Sequence, residues 1–173
     1  MTADSSSIDQ EMTNPMMERL LLQFQVDQFN AAYAAALDDK RFDDWPGFFV
    51  EDGSYTLQAR ENHERGLPLA LMALESQGMM KDRVYGVTQT IFHAPYYTRH
   101  VVSPARILSF EEGVIHAEAH YAVFRTRPGG ISEVYNVGRY IDEIMKKDDT
   151  LKFRRRLCVY DSEMILNSLI YPV

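Results

Sequence analysis

The sequence predicts one α+β domain in which helices come first and an antiparallel sheet follows. Two patterns predict it: apolar residues recur at helical spacing over residues 16–37, and from Tyr97 onward four segments alternate in strand fashion. Helices that are segregated from an antiparallel sheet define the α+β class. The 173 residues suit one domain and are enough to bury a sizeable core.

The first predicted helix follows a polar start. Residues 1–14 carry scattered serine and acidic residues without a periodic apolar pattern, so we expect a disordered tail there and a single domain over 15–173. Asn14 can cap a helix, and Pro15 suits its first position. The predicted core face of this helix consists of Leu20, Phe24, Val26 or Asp27, Ala31, Ala34 and Leu37.

The middle of the chain predicts several short elements. A helix or helical turn is predicted over residues 42–48, where Pro46 limits its length, and a strand is predicted over 55–60. Two further helices are predicted over 68–77 and 79–91.

The second half of the chain predicts an antiparallel meander. Its segments alternate between apolar and polar residues, and the connections between them carry Gly, Pro, Asp and Lys, which are typical of turns. The predicted strands cover residues 98–110, 114–126, 133–145 and 151–164. A long curved sheet of this kind, wrapped around the first helix, would form a cone.

Composition excludes several classes of function. The chain has 18 basic and 25 acidic residues and a pI near 5.2, which argues against nucleic-acid binding. We find no apolar run that could span a membrane and no signal-peptide core. The single cysteine, Cys158, allows neither an intrachain disulfide nor a cysteine-rich zinc site. We therefore expect a soluble cytoplasmic protein.

Several segments, in their order and spacing, are similar to one known family. Pro104 is a departure, because the family usually carries asparagine there. The segments are residues 29–33, 44–52 with Tyr55, 62–67, 82–84, the Arg-His-x-x-Ser stretch 99–103, and Arg155, Leu157, Cys158, Val159, Asp161 and Ser162. The chain resembles the NTF2-like (SnoaL-like, cystatin-like) cone fold and, within it, the β subunits of Rieske-type aromatic-ring-hydroxylating dioxygenases.

The resemblance implies a small subunit with a structural, assembly-promoting role and no catalytic, cofactor-binding or metal-binding residue of its own. It implies a partner α subunit that holds the Rieske [2Fe–2S] cluster and a mononuclear iron, commonly in an α3β3 assembly with β–β trimer contacts. A Rieske cluster needs two cysteines and two histidines, which Cys158 alone cannot supply. The resemblance also points to the catabolism of a small carboxylated aromatic compound.

One strand carries residue types that bind metals. His116, Glu118 and His120 share one face of a strand, and two histidines with a carboxylate are the ligands of the non-haem iron triad. The opposite face is the apolar one, so we expect the three residues on the outside of the sheet. Three ligands along a straight strand would spread over roughly 13 Å, too far to converge on one metal. We therefore favour a solvated face.

A second function is open to a cone-shaped fold, because a histidine and an aspartate facing its interior could act as general acid and base in a dehydratase or isomerase. A third is a small-molecule binding module without such a pair. The candidates for the acid/base pair are Asp52, Tyr55, Tyr33, His93 and His100. We expect instead that Asp52 caps a turn and that Arg99 and His100 lie at a subunit contact. An interior filled by large side chains would favour a structural role over catalysis.

The last predicted strand carries the densest basic patch. A period of two places Lys152, Arg154 and Arg156 on the outer face, where they would be solvated or contact an acidic partner. The same period places Arg155 on the apolar face with Phe153. Because an unpaired buried arginine is costly, we expect Arg155 to form an ion pair within the domain or across a β–β contact.

Overall fold

The computed structural model describes residues 15–162 and 169–173, so the predicted tail over 1–14 lies outside the described residues. The helical elements precede most of the sheet, as predicted for an α+β fold. They are α1 (Pro15–Asp38), a 3₁₀ turn (Trp45–Phe48), α2 (Arg60–Glu64), α3 (Gln77–Tyr85) and a π-helical turn (Gly86–Thr90). Among the described residues, no helix has both the length and the apolar character needed to cross a bilayer.

The strands of the described chain form a single sheet. Its strands are β1 (Phe49–Ala59), β2 (Met72–Leu74), β3 (Tyr97–Val102), β4 (Arg106–Glu111), β5 (Val114–Thr126), β6 (Ser132–Lys147) and β7 (Thr150–Tyr160). The order is β2-β1-β7-β6-β5-β3, and β4 also pairs with β5. The strands pair antiparallel except β1 and β7, which run parallel. The predicted meander is therefore confirmed as β5-β6-β7.

The strand predicted over residues 98–110 is two strands. Pro104 interrupts it, because proline has no N–H to donate to a ladder. The break lets both halves pair with the same long strand: β3 pairs with the second half of β5 and β4 with the first. The backbone N–H of Ala105, freed from the ladder, donates to Asp27 Oδ1 at 2.8 Å.

The helix predicted over residues 68–77 is wrong. This stretch contains the short strand β2, which pairs antiparallel with β1, and the Leu71 N–H donates to the Leu57 carbonyl. A helix follows only at Gln77, where the Ser76 side chain caps it by accepting from the Met79 N–H at 3.2 Å. The helix predicted over 79–91 corresponds to α3 and the π-helical turn that continues it.

Helix α1 packs on the sheet with a face that overlaps only partly with the predicted one, since Val26, Ala34 and Leu37 are buried as predicted. Its buried side chains are Val26, Asn30, Tyr33, Ala34, Ala36 and Leu37. Leu20, Phe24 and Ala31, which were predicted in the core, are exposed. At 100° per residue the apolar face of the first turns lies roughly 140° away from the core face of the later turns. The helix therefore has two apolar faces: the later one is buried against the sheet, and the earlier one remains mostly exposed.

Gly138 is required by a close approach between β6 and β7, where it pairs with Tyr160. A Cβ at this position would overlap the Val159 carbonyl oxygen and lie 2.9 Å from Tyr160 Cα. We expect Gly138→Ala to lower the free energy of unfolding by about 2 kcal/mol or more, measured by urea or thermal unfolding. The matched control is Gly47→Ala, because a Cβ at Gly47 meets nothing within 4 Å. Equal stability of the two variants would contradict this packing.

Candidate functional site

The centre of the interior is an ion pair. Arg156 of β7 is fully buried, and its guanidinium donates to Asp142 of β6 through Nε at 2.9 Å and Nη2 at 2.7 Å. The same Nη2 donates to the Asn30 side-chain oxygen of α1 at 2.5 Å. The two fork-like bonds match the planar guanidinium to the carboxylate, so both side chains are fixed. One arginine therefore ties the helix to two central strands.

Aromatic rings surround this ion pair. The guanidinium carbon of Arg156 lies 4.3 Å from the ring centre of Tyr33, 4.0 Å from that of Tyr140 and 3.9 Å from that of Phe153. Burial by itself lowers the pKa of Arg156, but Asp142 outweighs it and raises the pKa above its ordinary value. Burial raises the pKa of Asp142, and Arg156 opposes that rise. The pair is thus a structural centre held by mutual charge rather than an accessible acid or base.

The basic patch on β7 is arranged differently from the prediction. Arg155 pairs with Glu143 and Phe153 with Ile144, so Arg154 is an extra residue in a β-bulge. Because a bulge shifts the alternation by one residue, Arg156 points inward and Arg155 outward. The predictions for these two residues are wrong, whereas Arg154 is exposed and Phe153 is buried as predicted. Arg155 is 53% exposed, and its Nη1 lies 3.9 Å from Glu143 Oε1, a long ion pair within the domain.

The C-terminal residues fill the rest of the interior. The Val173 carbonyl accepts hydrogen bonds from the hydroxyls of Tyr33 at 3.0 Å and Tyr55 at 3.3 Å, and its N–H donates to Tyr55 at 3.0 Å. Burial raises the pKa of both tyrosines and raises that of the Cys158 thiol to about 12. A buried, protonated thiol is unreactive, so Cys158 serves as a packing residue. Tyr33 and Tyr55 likewise lie in a filled interior.

His100 forms a pair that the sequence did not reveal. Its Nδ1 lies 2.6 Å from Asp38 Oδ1, and its backbone N–H donates to Asp38 Oδ2 at 2.9 Å. Burial raises the pKa of Asp38, but the hydrogen bonds and charge of His100 outweigh it and lower the pKa. The side chain of His100 is only 1% exposed, so neither a reactant nor a partner reaches this ring. Arg99 beside it is exposed, with Nη1 3.8 Å from Asp38 Oδ2.

The remaining candidate residues do not lie together in one site. Asp52 is exposed on β1, far from the interior that the acid/base hypothesis requires. His93 lies near the C-terminal residues, where its Nε2 is 3.1 Å from the Tyr171 hydroxyl. The prediction that His116 and His120 lie on the outer face of β5 is confirmed, since both are exposed while the alternate residues Ala117 and Ala119 are buried. Glu118 accepts from Arg106 at 2.6 Å.

The largest feature that sequence reasoning missed is an apolar surface at one end of the domain. We call it the apolar end surface; it consists of Met16, Met17, Leu20, Leu21 and Phe24 of α1 with Leu108 and Phe110 of β4. The five α1 side chains are between 54% and 67% exposed. Leu21, Leu108 and Phe110 line one groove of about 920 Å³, so helix and strand form a continuous surface. Contiguous apolar surfaces of this extent mark interaction sites.

Comparison with known proteins gives one consistent result. The sequence model of the ring hydroxylating beta subunit family matches residues 32–167. The small subunit of anthranilate 1,2-dioxygenase from Burkholderia cepacia is 30% identical over 150 residues, which cover 87% of this chain and 93% of the relative. Subunit beta 2 of the terminal oxygenase component of terephthalate 1,2-dioxygenase from a Comamonas species is 28% identical over 89% of this chain and 100% of the relative.

Solved structures agree with the sequence matches. A protein from Novosphingobium aromaticivorans, described as the β subunit of an aromatic-ring-hydroxylating dioxygenase, has 37% sequence identity and a TM-score of 0.83. The match covers 90% of this chain and 99% of that one. The structural similarity confirms the predicted NTF2-like α+β architecture, with an N-terminal helix against a curved open sheet.

The Arg156–Asp142 pair makes a direct prediction about stability. We expect Arg156→Met to lower the free energy of unfolding by about 3–5 kcal/mol, because it leaves the Asp142 carboxylate buried and unpaired. Adding Asp142→Leu should restore much of the loss, since no charge then remains inside. The measurement is urea unfolding of the single and double variants. Arg155→Met is the exposed control, and a loss of equal size there would contradict the assigned faces.

Proposed function

The chain belongs to the ring-hydroxylating β-subunit family, and on that premise we propose that its role in the dioxygenase is structural: it stabilises an iron-containing α subunit and has no activity alone. The filled interior supports this role. Arg156, Asp142 and the C-terminal residues occupy the space where an enzyme of this shape would need an open pocket. The Asp38–His100 pair does not support a dehydratase or isomerase function, because the His100 ring is buried.

The redox centres belong, in this proposal, to the α subunit. A Rieske cluster takes two cysteine and two histidine ligands, and the one cysteine of this chain is buried beside Arg156 and Val173. The donor set needed for the cluster is therefore lacking here. The catalytic mononuclear iron is assigned to the α subunit together with the cluster, and the assembly is proposed to be a cytoplasmic α3β3 hexamer with β–β contacts.

The apolar end surface is the observation that carries the structural role. Its seven side chains, at about 200 Å² each and roughly half exposed, amount to on the order of 700 Å², close to the ~800 Å² that each partner buries in a standard interface. The face of α1 that provides most of it points away from the core, and the described residues of this chain leave it mostly exposed. We propose that a partner subunit covers this face.

Exposed basic side chains on two strands accompany the apolar surface in the proposal. Arg99 of β3 and Arg154 and Arg155 of β7 are each more than half exposed, and Lys152 of β7 is half-buried. Their long contacts with Asp38 and Glu143, 3.8–4.0 Å, leave donors for an acidic partner surface. We therefore keep these four residues as subunit contacts. Arg156 and His100, which were predicted with them, are buried within the domain.

The substrate of the assembled oxygenase is proposed to be a small carboxylated aromatic compound. The relatives in the comparison are a subunit of an anthranilate dioxygenase and one of a terephthalate dioxygenase, and both of these compounds carry a carboxylate on a single ring. The substrate itself is expected to bind to the α subunit.

Co-expression with the α subunit tests the proposal. We expect a species of α3β3 mass by size exclusion with light scattering, with iron in the complex and none in this chain purified alone. The complex, supplied with electrons, should oxidise carboxylated aromatics, and the chain alone should not. A chain that stays separate from the α subunit would contradict the structural role.

The apolar end surface can be tested within the same experiment. We expect Leu20→Glu combined with Phe24→Glu to abolish or strongly reduce hexamer formation, because two buried charges would face an apolar partner. The thermal stability of the isolated chain should not fall, since both side chains are already exposed. The control on the same helix is Ala32→Glu, which adds a charge at an exposed position further along the helix. Normal hexamers from the double variant would exclude this surface from the interface.

A further inference from the structure

A second pocket, independent of the apolar end surface, lies beside the C-terminal residues. It has a volume of about 720 Å³, within the range of small-molecule sites. Its walls come from the segment after the π-helical turn, from α3, from the end of β5 and from residues 169–170. The described residues that line it include three arginines and no acidic residue. The pocket therefore presents positive charge next to apolar and aromatic walls.

Arg83 is the central charge of this pocket. Its Nη2 donates to the carbonyls of Ile170 at 2.7 Å and Leu169 at 3.4 Å, which holds the C-terminal residues in place. These carbonyls are neutral, and Arg83 forms no ion pair with any carboxylate of the described chain. Its Nε is buried without a hydrogen-bond partner. Desolvation lowers the pKa of Arg83, which shows how poorly its charge is compensated.

The other two arginines differ from Arg83 because they share a carboxylate. Arg125 and Arg127 both bind Glu133 Oε1, at 2.6 Å and 3.0 Å. The Arg125 guanidinium also lies 4.5 Å from the ring centre of Tyr135, so it is held on the wall of the pocket. Arg127 is about half exposed at the rim and adds to the positive potential there.

Aromatic side chains complete the pocket. Phe92 is 99% exposed, which is unusual for a phenylalanine and places a whole ring at the entrance. Tyr96 is buried and packs against Tyr171 with tilted rings, whose centres are 4.8 Å apart. Flat apolar walls next to an uncompensated guanidinium fit a ligand that is itself flat at one end and anionic at the other.

We propose that this pocket binds a small aromatic carboxylate, with the carboxylate at Arg83 and the ring against Phe92 and Tyr96. The site belongs to this chain alone, so it goes beyond the structural role and does not depend on it. The same carboxylate chemistry has two possible sources: a free aromatic acid, or an acidic side chain of the partner subunit.

Binding of benzoate to the purified full chain tests the proposal. We expect saturable binding by isothermal titration or ligand-observed NMR, weaker at high salt because the contact is between charges. Benzamide has nearly the same shape without the charge, and we expect it to bind at least tenfold more weakly. Acetate, which lacks the ring, should also bind more weakly. The absence of saturable benzoate binding, or equal binding of benzamide, would overturn the proposal.

Amino-acid substitutions test where benzoate binds. Arg83→Gln should reduce benzoate affinity at least tenfold, and Arg155→Gln on the outer face of the sheet is the matched control with no expected change. Because Arg83 also holds residues 169–170, Phe92→Ala provides a second variant that cannot disturb packing. It should weaken benzoate severalfold, leave acetate binding unchanged and keep the melting temperature. Unchanged benzoate affinity in both Arg83→Gln and Phe92→Ala would place the site elsewhere and refute this assignment.

The co-expressed complex separates the two sources of the carboxylate. If benzoate still binds to the complex, the natural occupant is a free aromatic acid. If the complex excludes benzoate and Arg83→Gln weakens assembly, the occupant is a carboxylate of the α subunit. Failure of the chain to join any complex would leave the benzoate result on the isolated chain intact, so the two proposals can fail separately.

Discussion

The ion pair between Arg156 and Asp142 is the interaction on which the rest of the structure depends. It joins the two central strands β6 and β7, and through Asn30 it joins them to α1. A charge pair removed from water is stable only if its geometry and its additional hydrogen bonds are good. The bidentate contact and the bond to Asn30 supply this geometry, and the rings of Tyr33, Tyr140 and Phe153 pack around the guanidinium, whose Nη1 has no hydrogen-bond partner among the described residues. The pair therefore fixes the position of the helix against the curved sheet. It also fixes the direction in which the first turns of α1 point.

Because the interior is filled by the chain's own side chains, we infer that its functional residues lie on the surface. The hydroxyls of Tyr33 and Tyr55, the Cys158 thiol and the Val173 backbone bond to one another inside. The side chains of the Asp38–His100 pair are buried as well. Large apolar side chains meanwhile lie outside, on a helix whose first turns face away from the core. The interior of this chain of the ring-hydroxylating β-subunit family is thus filled by its own side chains, while large apolar side chains of α1 and β4 remain exposed.

The local sequence patterns predicted the order of helices and strands well. They predicted less well which side chains of an element face the core. The strand predicted over 114–126 coincides with β5, because a clean alternation with turns at both ends leaves one solution. On β7 the faces of Arg155 and Arg156 came out reversed, since one extra residue, Arg154, shifts the period and leaves no sign in the sequence. The partner of His100 lies 62 residues away on α1, and only the folded sheet brings Asp38 to it. The apolar first turns of α1 were assigned to the core because sequence alone does not tell a partner-covered face from a core-covered one.

Amide hydrogen exchange of this chain, alone and in complex with the α subunit, tests the central claim most directly. The claim predicts that β6 and β7 are protected in both states, because the ion pair already holds them, and that the first turns of α1 and the strand β4 become protected only in the complex. New protection confined to other surfaces, with α1 and β4 unchanged, would contradict the account.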